Sequence, residues 1–126
     1  MTISGDVIKI PGLVAGASLT AKQWTPVLMS STASRTVLSC TVTTRNCIGI
    51  LMNNPASGQE AEVAGLGLVK AVAGTATLLR GARLTCNSTG VIPTTTDNQF
   101  AFAVAVDAAA TKGDLILINV TGASRY

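Results

Sequence analysis

Three cysteines and six carboxylates are the side chains of this 126-residue sequence that could carry chemistry. Cys40 and Cys47 stand seven positions apart across a turn predicted at Arg45-Asn46, which would make them neighbours able to act as a redox pair. The close Cys-x-x-Cys spacing of a structural zinc site is missing, so small buried apolar residues are the simpler reading for Cys40, Cys47 and Cys86. Among the acids Asp6, Glu60, Glu62, Asp97, Asp107 and Asp114, the pair Glu60 and Glu62 shares one face of an extended segment. A carboxylate pair for acid/base work or a metal would need that arrangement. Both sit beside Gly58 at a loop edge, which points instead to solvated charge or a salt bridge between subunits. Histidine is absent from the sequence, which removes imidazole-dependent triads and most catalytic zinc sites. Gly65-x-Gly67 lacks the third glycine and the helix of a dinucleotide fingerprint, and no Gly-Lys-Ser/Thr phosphate loop occurs. The expectation is a protein that is not an enzyme and uses no cofactor or metal.

The elements that must position these residues read as β almost throughout. Residues 2–12 carry Ile3, Val7, Ile8 and Ile10 ahead of a strand-ending Pro11-Gly12. Residues 13–22 are small and polar, a loop or a single helical turn. Residues 24–30, 36–44 and 47–52 are rich in Val, Thr, Ile and Leu and are predicted strands, the last two paired through the Arg45-Asn46 turn. Residues 53–58 form a loop by composition. Residues 62–72 follow, with Gly65 and Gly67 on one face and Leu66, Leu68 and Val72 on the other. Two glycines on one strand face indicate close approach by another backbone, or a bulge. Short strands are predicted at 77–80, 83–87 and 91–92.

The end of the chain is more distinctive. Residues 99–106 alternate with period two, Phe100, Phe102, Val104 and Val106 on one face and Ala101, Ala103 and Ala105 on the other. Residues 108–112 invite a short helix with Gly113 as its cap, and 115–120 are apolar on both faces. Strands without a water-facing side must be covered on each side. The domain's own core would take the Phe100 side, and a close-packed sheet or a sister subunit the alanine side. Ala101, Ala103, Ala105, Gly65 and Gly67 are therefore the candidate subunit-interface residues. Strands at a spacing of roughly ten residues predict a mainly β fold, a small single-domain β-barrel or sandwich with at most one short helix, which oligomerises.

Composition narrows the partners. Hydrophobic residues make up 48% of the chain and charged residues only 12%, against roughly a quarter in an ordinary soluble domain. Mean hydropathy is positive. No stretch approaches the roughly 20 apolar residues of a spanning helix, so the surplus is read as surface buried between subunits, with no membrane partner. The net charge is +3, but the basic residues are dispersed and aromatics are only 3%. A nucleic-acid binder would cluster Lys and Arg with aromatics among them, so no nucleic-acid partner is expected. Residues 1–6 lack the basic-then-apolar pattern of a signal peptide. Residence in a cytosol is expected, with all three cysteines free.

Laid out in order, the second half of the chain shows Ile48-Gly49-Ile50-Leu51, Pro55 and Gly58, Val63-x-x-x-Gly67-x-x-Lys70, Gly74, Gly81-x-x-Leu84 and Gly90. It continues through Ala103-Val104-Ala105-Val106-Asp107-Ala108-Ala109, Gly113-Asp114 and a final Val120. From about Cys47 to Val120 this resembles the small head-decoration, or cement, proteins of tailed bacteriophages. The resemblance implies a virion protein, made in the host cytoplasm, that sits as a homotrimer or other oligomer on the exterior of the capsid. It would bridge neighbouring copies of the major capsid protein and stabilise the expanded head. It also implies an N-terminal capsid-binding arm, residues 1–12, ahead of a single β domain, residues 13–126. Ile3, Val7, Ile8 and Ile10 would be the capsid contacts, adding a strand to the capsid lattice. The same residues read equally well as the domain's own first strand. A low-charge β domain with surplus apolar area independently suits a symmetric, obligate interface. Two other readings stand beside this one: a main viral coat or fibre-base protein, and a small cytosolic β-barrel module for a ligand or peptide.

Overall fold

The computed structural model describes residues 7–40, 47–87, 89–94 and 100–125. These residues form ten strands and no helix. The strands are β1 (Val7–Ile10), β2 (Val14–Ala15), β3 (Pro26–Met29), β4 (Thr36–Ser39), β5 (Cys47–Leu51), β6 (Val63–Val72), β7 (Arg83–Cys86), β8 (Val91–Pro93), β9 (Phe100–Ala105) and β10 (Leu115–Arg125). They join one sheet in the order β2-β4-β3-β5-β6-β10-β9-β7-β8, with β1 added on β6, and the path does not close into a barrel.

The long strand β6 explains the shape of this sheet. Its first residues pair with β5 (Ile50↔Ala64, Leu51↔Val63), and residues from Gly67 to Val72 pair with β10. Val63, Ala64 and Gly67 each pair with β1 as well. A strand has only two edges, so β5 and β10 share one edge in succession and β1 takes the other. The sheet thereby divides into two wings hinged on β6: β2-β4-β3-β5 on one side and β10-β9-β7-β8 on the other.

Burial shows how the wings pack. One cluster gathers Leu28, Ile50 and Ala64 from the first wing and its hinge together with Leu84, Phe102, Ile116 and Ile118 from the second. Another holds Leu13, Leu19, Val27, Val37, Leu51 and Val63 on the far face of the first wing. Neighbours such as Val27 and Leu28, or Ile50 and Leu51, point to opposite clusters because side chains alternate across a strand. The first wing is thus buried on both faces, each fully buried Val, Leu or Ile contributing about 1.5–3 kcal/mol.

The alternation breaks inside β6. Ala64 faces the inter-wing cluster, yet so do Val69, Ala71 and then Ala73, which stand at odd positions. A one-residue bulge supplies the change of parity, and the β1–β6 register shifts at Ile8/Lys9, opposite Gly65. Gly67 adopts φ +106°, open to glycine at no steric cost. A Cβ on Gly65 would lie 2.7 Å from the side chain of Ile10. Both glycines therefore serve this chain's own β1 and its bulge.

Three predicted elements differ from those observed. Strand β3 lies between β4 and β5, so these two are not the hairpin expected through Arg45-Asn46, which itself lies outside the described residues. Segment 108–112 is a turn rather than a helix: Ala109 and Leu78 exchange both backbone hydrogen bonds at 2.8 and 2.9 Å, using groups that a helix would need. Leu78, expected within a strand at 77–80, makes only that isolated bridge, beside Thr77 with φ +60°.

Gly49 sits where β5 crosses β6, and a Cβ there would collide with the backbone carbonyl of Ala64. Gly49→Ala is expected to lower stability by about 1–3 kcal/mol, as overpacking against an immovable neighbour does. A urea unfolding midpoint measures this; a change below about 0.5 kcal/mol would be the size of an ordinary surface substitution and contrary to the crossing described.

Candidate functional site: an apolar sheet face and a buried sulfur cluster

Past the bulge, every second residue of β6 points away from the core, and its partners on β10 follow. Leu68 faces Asn119, Lys70 faces Leu117 and Val72 faces Leu115. Asn119 continues to Val104 on β9, and Ile8 of β1 stands opposite Leu66. Side chains opposite one another in a ladder share a face. The result is an outward face made of Leu, Ile and Val, interrupted by Lys70 and Asn119. Among the described residues it stays open: Ile8 is 66% exposed, Leu115 54% and Leu66 45%. Val106, where the chain leaves β9 beside Leu117, is exposed too.

Of the two covers expected for the alanine side, a close-packed sheet or a sister subunit, the chain itself supplies the first. Ala101, Ala103 and Ala105 are only 2–3% exposed and are buried within the single chain, where Ala103 and Ala105 join the inter-wing cluster, so a second copy has no alanine surface to meet. Small side chains fall where the wings press together. Phe102 is buried as well, while Val104 is half-buried and Val106, just past β9, is exposed. Gly65 and Gly67 are committed to the bulge under β1. The signal for the outward face was present in the two-sided apolar run 115–120.

The candidate capsid contacts also divide. Ile3 lies outside the described residues. Val7 packs against the inter-wing cluster and Ile10 against the far-face cluster, while Ile8 points out. The segment Val7–Ile10 is a strand of the domain's own sheet.

The carboxylate pair does not assemble into an acid/base site. Glu62 accepts a hydrogen bond from Lys9 Nζ at 2.7 Å, an ion pair that ties β1 to β6. With both side chains well exposed it adds little to stability. Asn53 binds the backbone on either side, accepting from the Glu62 N–H and donating to the Glu60 carbonyl. An intrachain partner thus takes Glu62 in place of the expected subunit bridge.

The cysteines do meet. Cys40, just past β4, and Cys86, ending β7, form a disulfide across the two wings, contrary to the expectation of three free thiols. Cys47, opening β5, remains a free thiol with its Sγ 2.7 Å from that of Cys40. All three sulfurs lie within 4.8 Å of one another and all are buried. The bridge closes a sequence separation of 46, and constraining so long a loop in the unfolded chain is worth about 4 kcal/mol in the chain-entropy description. Burial raises the Cys47 thiol from its ordinary 9.0 to about 12. An acid whose pKa is raised stays protonated up to that value, so the reactive thiolate is scarce at neutral pH. At pH 8 a thiol reagent should therefore label folded Cys47 roughly a thousandfold more slowly than an exposed cysteine, with the rate climbing about tenfold per pH unit. Rapid stoichiometric labelling of the folded protein at pH 8 would contradict the burial.

A sheet protein with an unpaired apolar face is the class that these features define. The family model described as phage cement protein matches residues 22–120, and the chain belongs to that family. It is accordingly a structural protein of the phage head, associated with the capsid. The match starts at Lys22, past β1 and β2. The fold is also similar to the crystal structure of the head fiber gp8.5 N base of bacteriophage phi29, with a TM-score of 0.69 at 15% identity, over 90% of this chain and 95% of that one. No curated protein matches the chain significantly.

Proposed function

We propose that the protein docks as a homotrimer on the exterior of the capsid, bridges copies of the major capsid protein and stabilises the expanded head, in a role that is structural rather than catalytic. The observation that carries this reading is the outward face of β1, β6, β10 and β9. Ile8, Leu66 and Leu115, with half-buried Leu68 and Val72 between them, are the kind of exposed apolar surface that marks a protein interface. That face serves contacts between copies, and Ile8 at its rim extends it toward the capsid. The N-terminal segment ahead of β1 acts as the arm. Copies linked in one oligomer engage the capsid with raised effective concentration, so modest individual contacts suffice. Synthesis in the host cytoplasm precedes this docking.

A second reading draws on the likeness to a head fiber base: the oligomer also serves as the platform for a distal fibre. A fibre protein from the same phage that binds decorated heads and not bare ones would favour it.

Leu66→Lys combined with Leu115→Lys tests the first reading. Both side chains are exposed in the single chain, so the fold should survive with stability changed by about 0.5 kcal/mol or less per site. Light scattering should show a small closed oligomer for the natural sequence and a monomer for the double variant. Cosedimentation with expanded capsids should fall at least about tenfold. A natural chain that is monomeric at micromolar concentration, or a double variant that decorates capsids as well as the parent, would overturn the reading.

A further inference from the structure

The sulfur cluster holds one more functional group than a structural disulfide requires. Cys40 and Cys86 already form the bridge between wings, yet Cys47 places its sulfur in contact with Cys40. We propose that the three sulfurs form a disulfide-exchange triad centred on Cys40, which can move its bond from Cys86 to Cys47.

The geometry selects the sulfur that is attacked. Cys47 Sγ is 2.7 Å from Cys40 Sγ, on the wing that both residues share, and Cys86 arrives from the other wing. In the exchange the Cys47 thiol gives up its proton and its sulfur forms a bond to Cys40. The Cys40–Cys86 bond breaks, and Cys86 leaves as a thiolate that takes up a proton. One disulfide and one thiol stand on each side of the step, so neither oxidant nor reductant is consumed.

The two bridges do different mechanical work. Cys40–Cys86 spans a sequence separation of 46 and staples the wings together. Cys40–Cys47 spans seven residues and lies wholly within the first wing. Exchange therefore releases the β10-β9-β7-β8 wing while preserving a disulfide. The surrounding cluster, with Leu28, Ile50, Leu84 and Phe102, is apolar. In the packed state this burial keeps Cys47 protonated and the staple in place. Parting of the wings hydrates the thiol, ionises more of it and permits the exchange, so the staple locks a well-packed molecule and yields in a loosened one.

Trypsin tests this directly, since cleavage after Arg35, Arg45, Lys70, Arg83 and Lys112 puts the three cysteines on three peptides: 36–45, 46–70 and 84–112. The natural protein, acid-quenched and alkylated from neutral buffer, should yield the 36–45/84–112 pair with Cys47 alkylated. After incubation without reductant at a urea concentration below the unfolding midpoint, the 36–45/46–70 pair should increase at least tenfold and Cys86 should become the alkylated residue. Persistence of the first pair alone would overturn the proposal, and so would a substantial 46–70/84–112 pair, which would remove Cys40 from the centre. A Cys86→Ser variant gives a readout that does not depend on urea. Oxidised with glutathione disulfide, it should form Cys40–Cys47 within one chain; failure to form that bond would count against the triad even if the natural protein resists exchange.

Discussion

Strand β6 must serve both wings of the sheet at once, and most of the structure follows from how it does so. Its first residues complete the wing that contains β5, and its last residues open the wing that contains β10, on the same hydrogen-bonding edge. Regular alternation cannot bring Ala64 and Val69 to one core. The bulge at Gly65–Gly67 resolves this, and β1 lies along the other edge at that place. Trp24 adds a second stitch. Its backbone N–H donates to Leu51 of β5 and its carbonyl accepts from Val72 of β6, with the residue held at φ +70°. A bulky residue in the left-handed region is strained by roughly 1–3 kcal/mol and persists because its surroundings fix it.

The same division accounts for the exposed apolar surface. Once the bulge has turned Val69 and Ala71 inward, Leu66, Leu68 and Val72 are left pointing out, and the pairing with β10 lines up Leu115 and Leu117 beside them. Within that wing β7 and β9 are buried on both faces over Leu84–Cys86 and Ala101–Ala103, so the open side is confined to β6 and β10, at Leu66 and Leu115. The first wing, buried on both faces, is the rigid support behind it. This separates a body buried on both faces from an exposed apolar face.

Much of this was legible in the sequence. The β class, most strand positions and the family resemblance over the second half follow from local composition and from the order of the glycines. The two-sided apolar run 115–120 is a strand whose Ile116, Ile118 and Val120 are buried while Leu115 is exposed. What failed was pairing and facing. Cys40 and Cys47 were predicted on adjacent strands, but β3 inserts between β4 and β5, a non-local arrangement that no local pattern encodes. Alternation of Phe and Ala along β9 suggested an alanine face covered by a close-packed sheet or a sister subunit, and the chain's own packing covers it. In the folded chain small residues fill the space between the wings, so residue size there reflects the distance between sheets and not exposure. The disulfide was missed because compartment arguments treat cysteines by count, whereas Cys40 and Cys86 are joined by the folding of one wing over the other.

The adhesive role of the β6–β10–β9 face is the central claim, and a density map of the protein bound to its own capsid tests it most directly. Leu66, Leu68 and Leu115 should lie buried against a neighbouring polypeptide, either a second copy or the major capsid protein. A map in which those three side chains face open solvent while another surface makes the contacts would contradict it.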